Sequence, residues 1–184
     1  LHECFLGDRG WTSGFFRLNG RLYQPGDLGR VIGSEIGIQI ERPDRPGGVL
    51  FDNMTALDNL CTSLIPKAGQ HIIRKKIVSS ILSEALRWFP KEMLLQPLSS
   101  WSYPERLRFS YYRWYLLNPR LLICFFPFAG QESTHHKMII DLLVLCAQRG
   151  MAVWIISSGI DAICEKTDNE EFLRRLHYLN CLLY

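Results

Sequence analysis

The sequence predicts an α/β domain with parallel strands, a small antiparallel β hairpin and a lobe of helices, on three observations. Residues 121–126, LLICFF, are apolar without interruption between Pro119 and Pro127, as a central parallel strand buried on both faces should be. An amphipathic stretch at 133–148 separates that run from a second one at 151–157, so strand, helix and strand make one right-handed crossover unit. Upstream, Asn19 and Gly20 stand between two aromatic-rich runs, and both central positions of a type I′ turn need positive φ.

The elements follow in chain order. The hairpin occupies 15–23, and 36–40 form a short strand. Pro43, Pro46, Gly47 and Gly48 then punctuate a loop, and 52–63 begin a helical lobe with Thr55 as its cap. Across 67–89 the apolar residues Ile72, Ile73, Ile77, Ile81, Leu82, Ala85 and Leu86 recur at the helical period, and Pro90 ends the helix. Another helix begins with Pro104 in its first turn and runs to Leu117, stopping before Pro119. The helix at 133–148 closes on Gly150 as a left-handed cap.

At 184 residues, with 47% hydrophobic and 21% charged residues, the chain can bury one sizeable core. The net charge of +3 is mild and its basic residues are scattered, apart from Arg74, Lys75 and Lys76 on a predicted helix. That triplet reads as a solvated face, so direct nucleic-acid binding is not expected. No apolar run reaches the ~18 residues of a membrane span, so membrane insertion is not expected either. His2, Glu3, Asp8 and Arg9 stand where a signal peptide would be apolar, and a cytoplasmic location is expected. Cys4, Cys61, Cys124, Cys146, Cys164 and Cys181 form no Cys-x-x-Cys pair and lie among apolar neighbours, which reads as core thiols. His135 and His136 are adjacent, point about 100° apart on a helix and are poorly placed to grip one metal ion, so they read as surface residues near a helix start. Trp101, Trp114, Tyr111, Tyr112 and Tyr115 could stack on a base or sugar, but the spacing of Tyr111, Trp114 and Tyr115 favours a packed helix face.

The stretch 101–133, WSYPERLRFSYYRWYLLNPRLLICFFPFAGQES, resembles the signature and magnesium-binding region of the ATP-binding cassette (ABC) family. The family's signature opens a helix, an Asn-Pro-Lys/Arg turn leads into a buried strand, and the strand ends in Asp-Glu-Pro. Here Asn118, Pro119 and Arg120 stand at the turn, and Pro127 follows the strand. The likeness is to the sugar-importer branch and extends over most of the chain. The segment 37–60, GIQIERPDRPGGVLFDNMTALDNL, is similar to that branch's G-I-x-x-V-P-E-D-R-x-x-x-G-L run and the Ser/Thr-Val-x-E-N that follows. Asp44, Arg45, Gly48, Leu50, Met54, Thr55, Asp58 and Asn59 match or nearly match it, with an extra residue before Asp44. Arg113 and Trp114 reproduce a basic-Trp pair, and Ser158 stands at the switch position of the 150–168 segment.

The departures fall on the chemistry. The two acidic positions are Phe125 and Phe126, and a phenyl ring neither ligates magnesium nor accepts a proton. No glycine-rich loop ending in Gly-Lys-Ser/Thr occurs in the sequence; residues 1–7 resemble the end of the helix that would follow one. The signature reads Ser102, Tyr103, Pro104, Glu105, with a tyrosine and a proline where two glycines let a nucleotide approach the backbone. The resemblance therefore implies a partial P-loop NTPase-like core in one domain, 1–184, with a β-rich part at 1–51, a helical lobe at 52–117 and a remnant of the nucleotide-binding α/β core at 118–184. Ser102, Glu105, Phe125, Phe126 and Ser158 are its vestigial site positions, with no catalytic residue, cofactor or metal implied. The expected function is a non-catalytic, regulatory or assembly role with a protein partner or a second copy, through Phe126 and Phe128 or through Phe15 and Phe16. The alternative is the degenerate ATP-binding half of a sugar transporter, working beside a competent partner and a membrane permease.

Overall fold

The computed structural model describes residues 15–18, 20–23, 31–41, 50–68, 75–129 and 133–157. Strands β1 (Phe16–Leu18) and β2 (Arg21–Tyr23) pair antiparallel with Leu18 opposite Arg21, which leaves a two-residue loop, and Gly20 takes φ +78° as that turn requires. Strand β3 (Ile36–Ile40) opens a parallel sheet ordered β3-β4-β5, with β4 (Leu121–Phe125) in the middle and β5 (Ala152–Ile156) beyond it. The register runs Ile36 to Leu121 to Ala152 at one end and Ile40 to Phe125 to Ile156 at the other.

The lobe comprises α1 (Ala56–Ala68), α2 (Lys75–Ala85) and the short α3 (Lys91–Leu94). Thr55 caps α1 as expected: its hydroxyl accepts the Asp58 N–H at 3.1 Å and donates to the Asp58 carboxylate at 2.7 Å. Of the helix predicted over 67–89, Lys67 and Ala68 belong to α1 and Lys75–Ala85 form α2, with 69–74 outside the described residues; α2 ends at Ala85, short of Phe89, because an apolar period can carry past a helix end that periodicity alone does not place. After Ala85 the chain tightens, with Trp88 N–H and Phe89 N–H both donating to the Ala85 carbonyl at 3.0 Å, and this turn delivers Phe89 into an aromatic cluster with Trp101, Phe109 and Tyr112.

Helix α4 (Tyr103–Leu117) carries proline in its first turn and ends on Asn118 in the left-handed conformation, φ 45°. Asn118 tolerates that conformation, and Pro119 then prevents the helix from continuing, so the chain turns into β4. Helix α5 (Ser133–Gln148) is closed by Gly150 at φ +87°, and β5 follows. The expected crossover unit is thus present, although Phe126, predicted as the last strand residue, lies outside β4: its φ of 53° turns the chain out of the sheet.

Alternation along β4 builds the core. Leu122 and Cys124 face α4 and α5, meeting Leu107, Tyr111, Trp114, Ile139, Leu143 and Cys146. Leu121, Ile123 and Phe125 face the other way, toward Tyr23 of the hairpin, Val31 and Ile36. Helix α4 also serves a third cluster, since Phe109 and Tyr112 pack into the lobe against Leu60, Ile81 and Phe89. The packed-face reading of its aromatics therefore holds, with Tyr111 and Tyr112 fully buried. Cys61, Cys124 and Cys146 are buried free thiols; Cys4, Cys164 and Cys181 lie outside the described residues. Among the described residues no helix is long and apolar enough to cross a membrane.

Candidate functional site

The C-terminal ends of the three parallel strands and the N-termini of α4 and α5 lie at one end of the sheet, because each helix runs antiparallel to the strand after it. Phe125 closes β4 there and is 1% exposed, packed with Tyr23, Ile36, Ile123 and Ile156. Burying such a side chain contributes roughly 1.5–3 kcal/mol relative to leaving it in water. Phe126 is half-buried against the same cluster, its N–H donates to the Ile156 carbonyl at 2.8 Å, and its own carbonyl accepts the Ala129 N–H at 2.9 Å. Those two bonds hold a non-glycine residue at positive φ, a conformation uncommon for an aromatic side chain.

Ser102 and Glu105 meet each other at the N-terminus of α4. The Glu105 carboxylate accepts the Ser102 N–H at 2.8 Å and the Ser102 hydroxyl at 2.7 Å, forming a capping box. This satisfies donors that an exposed helix start would otherwise present to an anion. The neighbouring Tyr103 ring lies tilted against His135 at 6.0 Å, and the Phe128 ring meets His136 edge-on at 5.0 Å. The two histidines are thus half-buried by aromatic contacts rather than surface residues. Ser158, the 1–7 segment, Asn19, the Asp44, Arg45 and Gly48 matches, and Arg74 lie outside the described residues.

Two polar residues at this end were not singled out from the sequence. Gln39 is fully buried and Glu41 is 3% exposed, both on or just after β3. The Gln39 amide donates to the Glu41 carboxylate at 2.6 Å and to the Ser110 hydroxyl at 3.2 Å, and accepts the Trp114 indole N–H at 2.7 Å. Burial first, then the Cys124 thiol and the Glu41 carboxylate, push the Tyr111 hydroxyl well above its ordinary pKa. Burial likewise raises Cys124, and holds Arg113 down at about 10. The one available signal was a glutamine and a glutamate interrupting the apolar run IGIQIE. The arrangement ties β3 to α4; its carboxylate is held by an amide donor.

This sheet, its flanking helices and the helical lobe have the fold seen in ATP-binding cassette ATPase domains, a P-loop NTPase fold. The ATP-binding cassette MJ0796, solved as a dimer in a post-hydrolysis state with ADP and phosphate, matches with a TM-score of 0.65 at 17% identity, over 97% of this chain and 75% of that one. CbiO1 of Clostridium perfringens, part of the ABC transporter complex cbiONQ, matches with a TM-score of 0.65 at 20% identity, over 87% and 62%.

Sequence relatives point to the same class. A ribose/galactose/methyl galactoside import ATP-binding protein of Pseudomonas syringae pv. tomato is 26% identical over 169 residues, 90% of this chain and 32% of the relative. An ABC transporter ATP-binding protein of Clostridium perfringens is 21% identical over 137 residues, 74% of this chain and 23% of the relative. The chain therefore spans about a third of the length of the sugar-import relatives, at 32%. No family model matches it.

Proposed function

We propose that this chain is a non-catalytic, ABC-derived domain with a regulatory or assembly role, and that 1–184 is one such domain. The observation that carries the reading is Phe125, whose 1% exposure puts a packed phenyl ring at the end of the central strand, where the family places a magnesium-holding carboxylate. Two further features support it: Phe126 follows in place of the second carboxylate, and Glu105 is engaged by the start of its own helix. Under this reading Ser102, Glu105, Phe125, Phe126 and Ser158 are vestigial positions with no catalytic duty. Calorimetric titration with magnesium-ATP tests it: no micromolar binding and no turnover above a buffer blank are expected, and either one would sink it.

A second reading is favoured by the sequence relatives, which are sugar-import ATP-binding proteins. The chain would then be the degenerate half of an asymmetric cassette pair on the cytoplasmic face of a permease. Ser102, at the start of α4, would cap a nucleotide held by the partner. A mixture with a competent cassette showing faster turnover than the partner alone, lost on Ser102→Ala, would favour this reading over the first. Self-association fits both. Phe15 is 73% exposed beside Arg17, and Phe128 lies at the nucleotide end of the sheet. Light scattering should give a mass above the 21.3 kDa monomer, and a mass that stays monomeric on concentration would reject association.

A further inference from the structure

Helix α2 carries its charges against its own dipole. A helix N-terminus bears partial positive charge and its C-terminus partial negative charge, so acidic residues suit the first turn and basic residues the last. In α2, Lys75 and Lys76 open the helix and Glu84 stands in its last turn, with no acidic residue in the first turn and no basic one in the last. Among the described residues Lys76 meets no carboxylate. Glu84 is partnered by Arg87 from just beyond the helix, at 3.2 Å, with the arginine side chain 73% exposed. A surface pair of that kind holds Glu84 only weakly.

The mismatched charges share one face. Lys76, Ser80 and Glu84 follow at four-residue steps along one side of α2, which sets Lys76 and Glu84 about 6 Å either side of Ser80. Ser79 and Ser83 flank that line, and Lys76 and the three serines are exposed. These five side chains, with Leu116 of α4 beside them, line an open groove of about 580 Å³. Between the two charges the exposed side chains are serines, short enough to let a second helix approach closely.

We propose that this face of α2 pairs with the same face of a second copy of the chain, the two helices antiparallel about a two-fold axis through Ser80. A two-fold interface is self-complementary, so Lys76 of each copy lies opposite Glu84 of the partner subunit, twice over, and the two Ser80 hydroxyls meet on the axis. The pairing also answers the dipole: each Lys76 gains the C-terminal end of the opposing helix, and each Glu84 gains its N-terminal end. A parallel pair would set lysine against lysine and glutamate against glutamate. A second copy is favoured over a nucleic acid because the face carries both signs of charge, and a phosphate backbone along it would meet Glu84. The inference goes beyond the association proposed above, which ran through Phe15 or Phe128, and does not depend on whether the chain turns over ATP.

Sedimentation equilibrium of the 184-residue chain over a range of concentrations tests it. A reversible equilibrium between the 21.3 kDa monomer and a dimer is expected. Lys76→Glu and Glu84→Lys should each weaken the dimer about tenfold or more, because each sets like charges opposite one another at both contacts. An equimolar mixture of the two variants should recover the dimer, since each supplies the charge that the other lacks, and Lys76→Glu with Glu84→Lys in one chain should recover it alone. Circular dichroism checks that these surface substitutions keep the fold. A mixture and a double variant that stay as weak as the single variants overturn the proposal. A dimer indifferent to both single variants but dissociated by Phe128→Asp places the contact at the other end of the molecule and overturns this inference only, whereas a chain monomeric at every concentration overturns it together with the association proposed above.

Discussion

The indole N–H of Trp114 donates to the Gln39 side-chain oxygen at 2.7 Å inside the core, so a residue of α4 and a residue of β3, far apart in sequence, share one buried hydrogen bond. Gln39 spends its amide hydrogens on Glu41 and Ser110, which makes it the hinge pin of a polar network between sheet and helix. Replacing it with leucine keeps the volume but leaves the indole N–H unpaired and takes a donor from a buried carboxylate. Gln39→Leu should cost roughly 2–4 kcal/mol in urea unfolding. In a double-mutant cycle with Trp114→Phe the two changes should couple by about 0.5–3 kcal/mol. Additive costs would mean that the bond carries nothing.

Gly37 lies against the same indole. A Cβ added there would stand 2.9 Å from Trp114 Cε3 and 3.0 Å from Leu122 Cδ1, with the ring fixed by its own hydrogen bond. Gly37→Ala should therefore destabilise by roughly 1–3 kcal/mol through overpacking. Combined with Trp114→Leu the added cost of the methyl should shrink, and an undiminished penalty would place the clash elsewhere.

Restoring carboxylates at the end of β4 should restore nothing. Phe125→Asp with Phe126→Glu removes a packed ring and puts charge into the cluster of Tyr23, Ile36 and Ile123. A loss of roughly 2–5 kcal/mol is expected, with no ATP turnover. A double variant that melts at or above the unaltered chain would contradict the packing argument. The two rings should also differ from each other. Phe126→Gly relieves a strained positive φ worth roughly 1 kcal/mol, so denaturant titration should find it less damaging than Phe125→Gly.

Alkaline pH should unfold the protein through its buried acids. Burial pushes the Cys146 thiol from 9.0 up to about 12, and raises Cys124 and Tyr111 well above their ordinary values. Between the unfolded and folded pKa values the folded state keeps a proton that the unfolded chain has lost, so stability falls as pH rises. The loss should begin near pH 9 with the thiols, and Tyr111 should steepen it above pH 10. Each unit of pH in that window costs about 1.4 kcal/mol per group. Cys146→Ala should reduce the slope of stability against pH, and an unchanged slope would refute the assignment.

How much was legible in the sequence depends on the range of the interaction that decides each feature. The crossover unit, the Asn19-Gly20 hairpin, the Thr55 cap and the Gly150 terminus were readable because each is set within a few residues by apolar period, proline or turn chemistry. The end of α2 at Ala85 was not, since the apolar spacing runs on past it to Leu86 and Phe89. Gln39 and Glu41 were passed over because a polar residue at a strand end looks like an edge. Only packing against Ser110 and Trp114 turned that end into a buried network. The positions proposed as vestigial were legible as residue types, yet their surroundings were set by the tertiary structure. Glu105 is held by the capping box, while Phe125 is buried because the hairpin's Tyr23 and the sheet close over it. By itself, then, the sequence determined the strands, caps and turns that nearest neighbours enforce. The tertiary structure alone decided which face of α4 meets the sheet, which polar groups are sealed inside, and where Arg108 and Arg149 gather around Trp88 and Tyr115, because those outcomes depend on contacts between residues that no local pattern pairs.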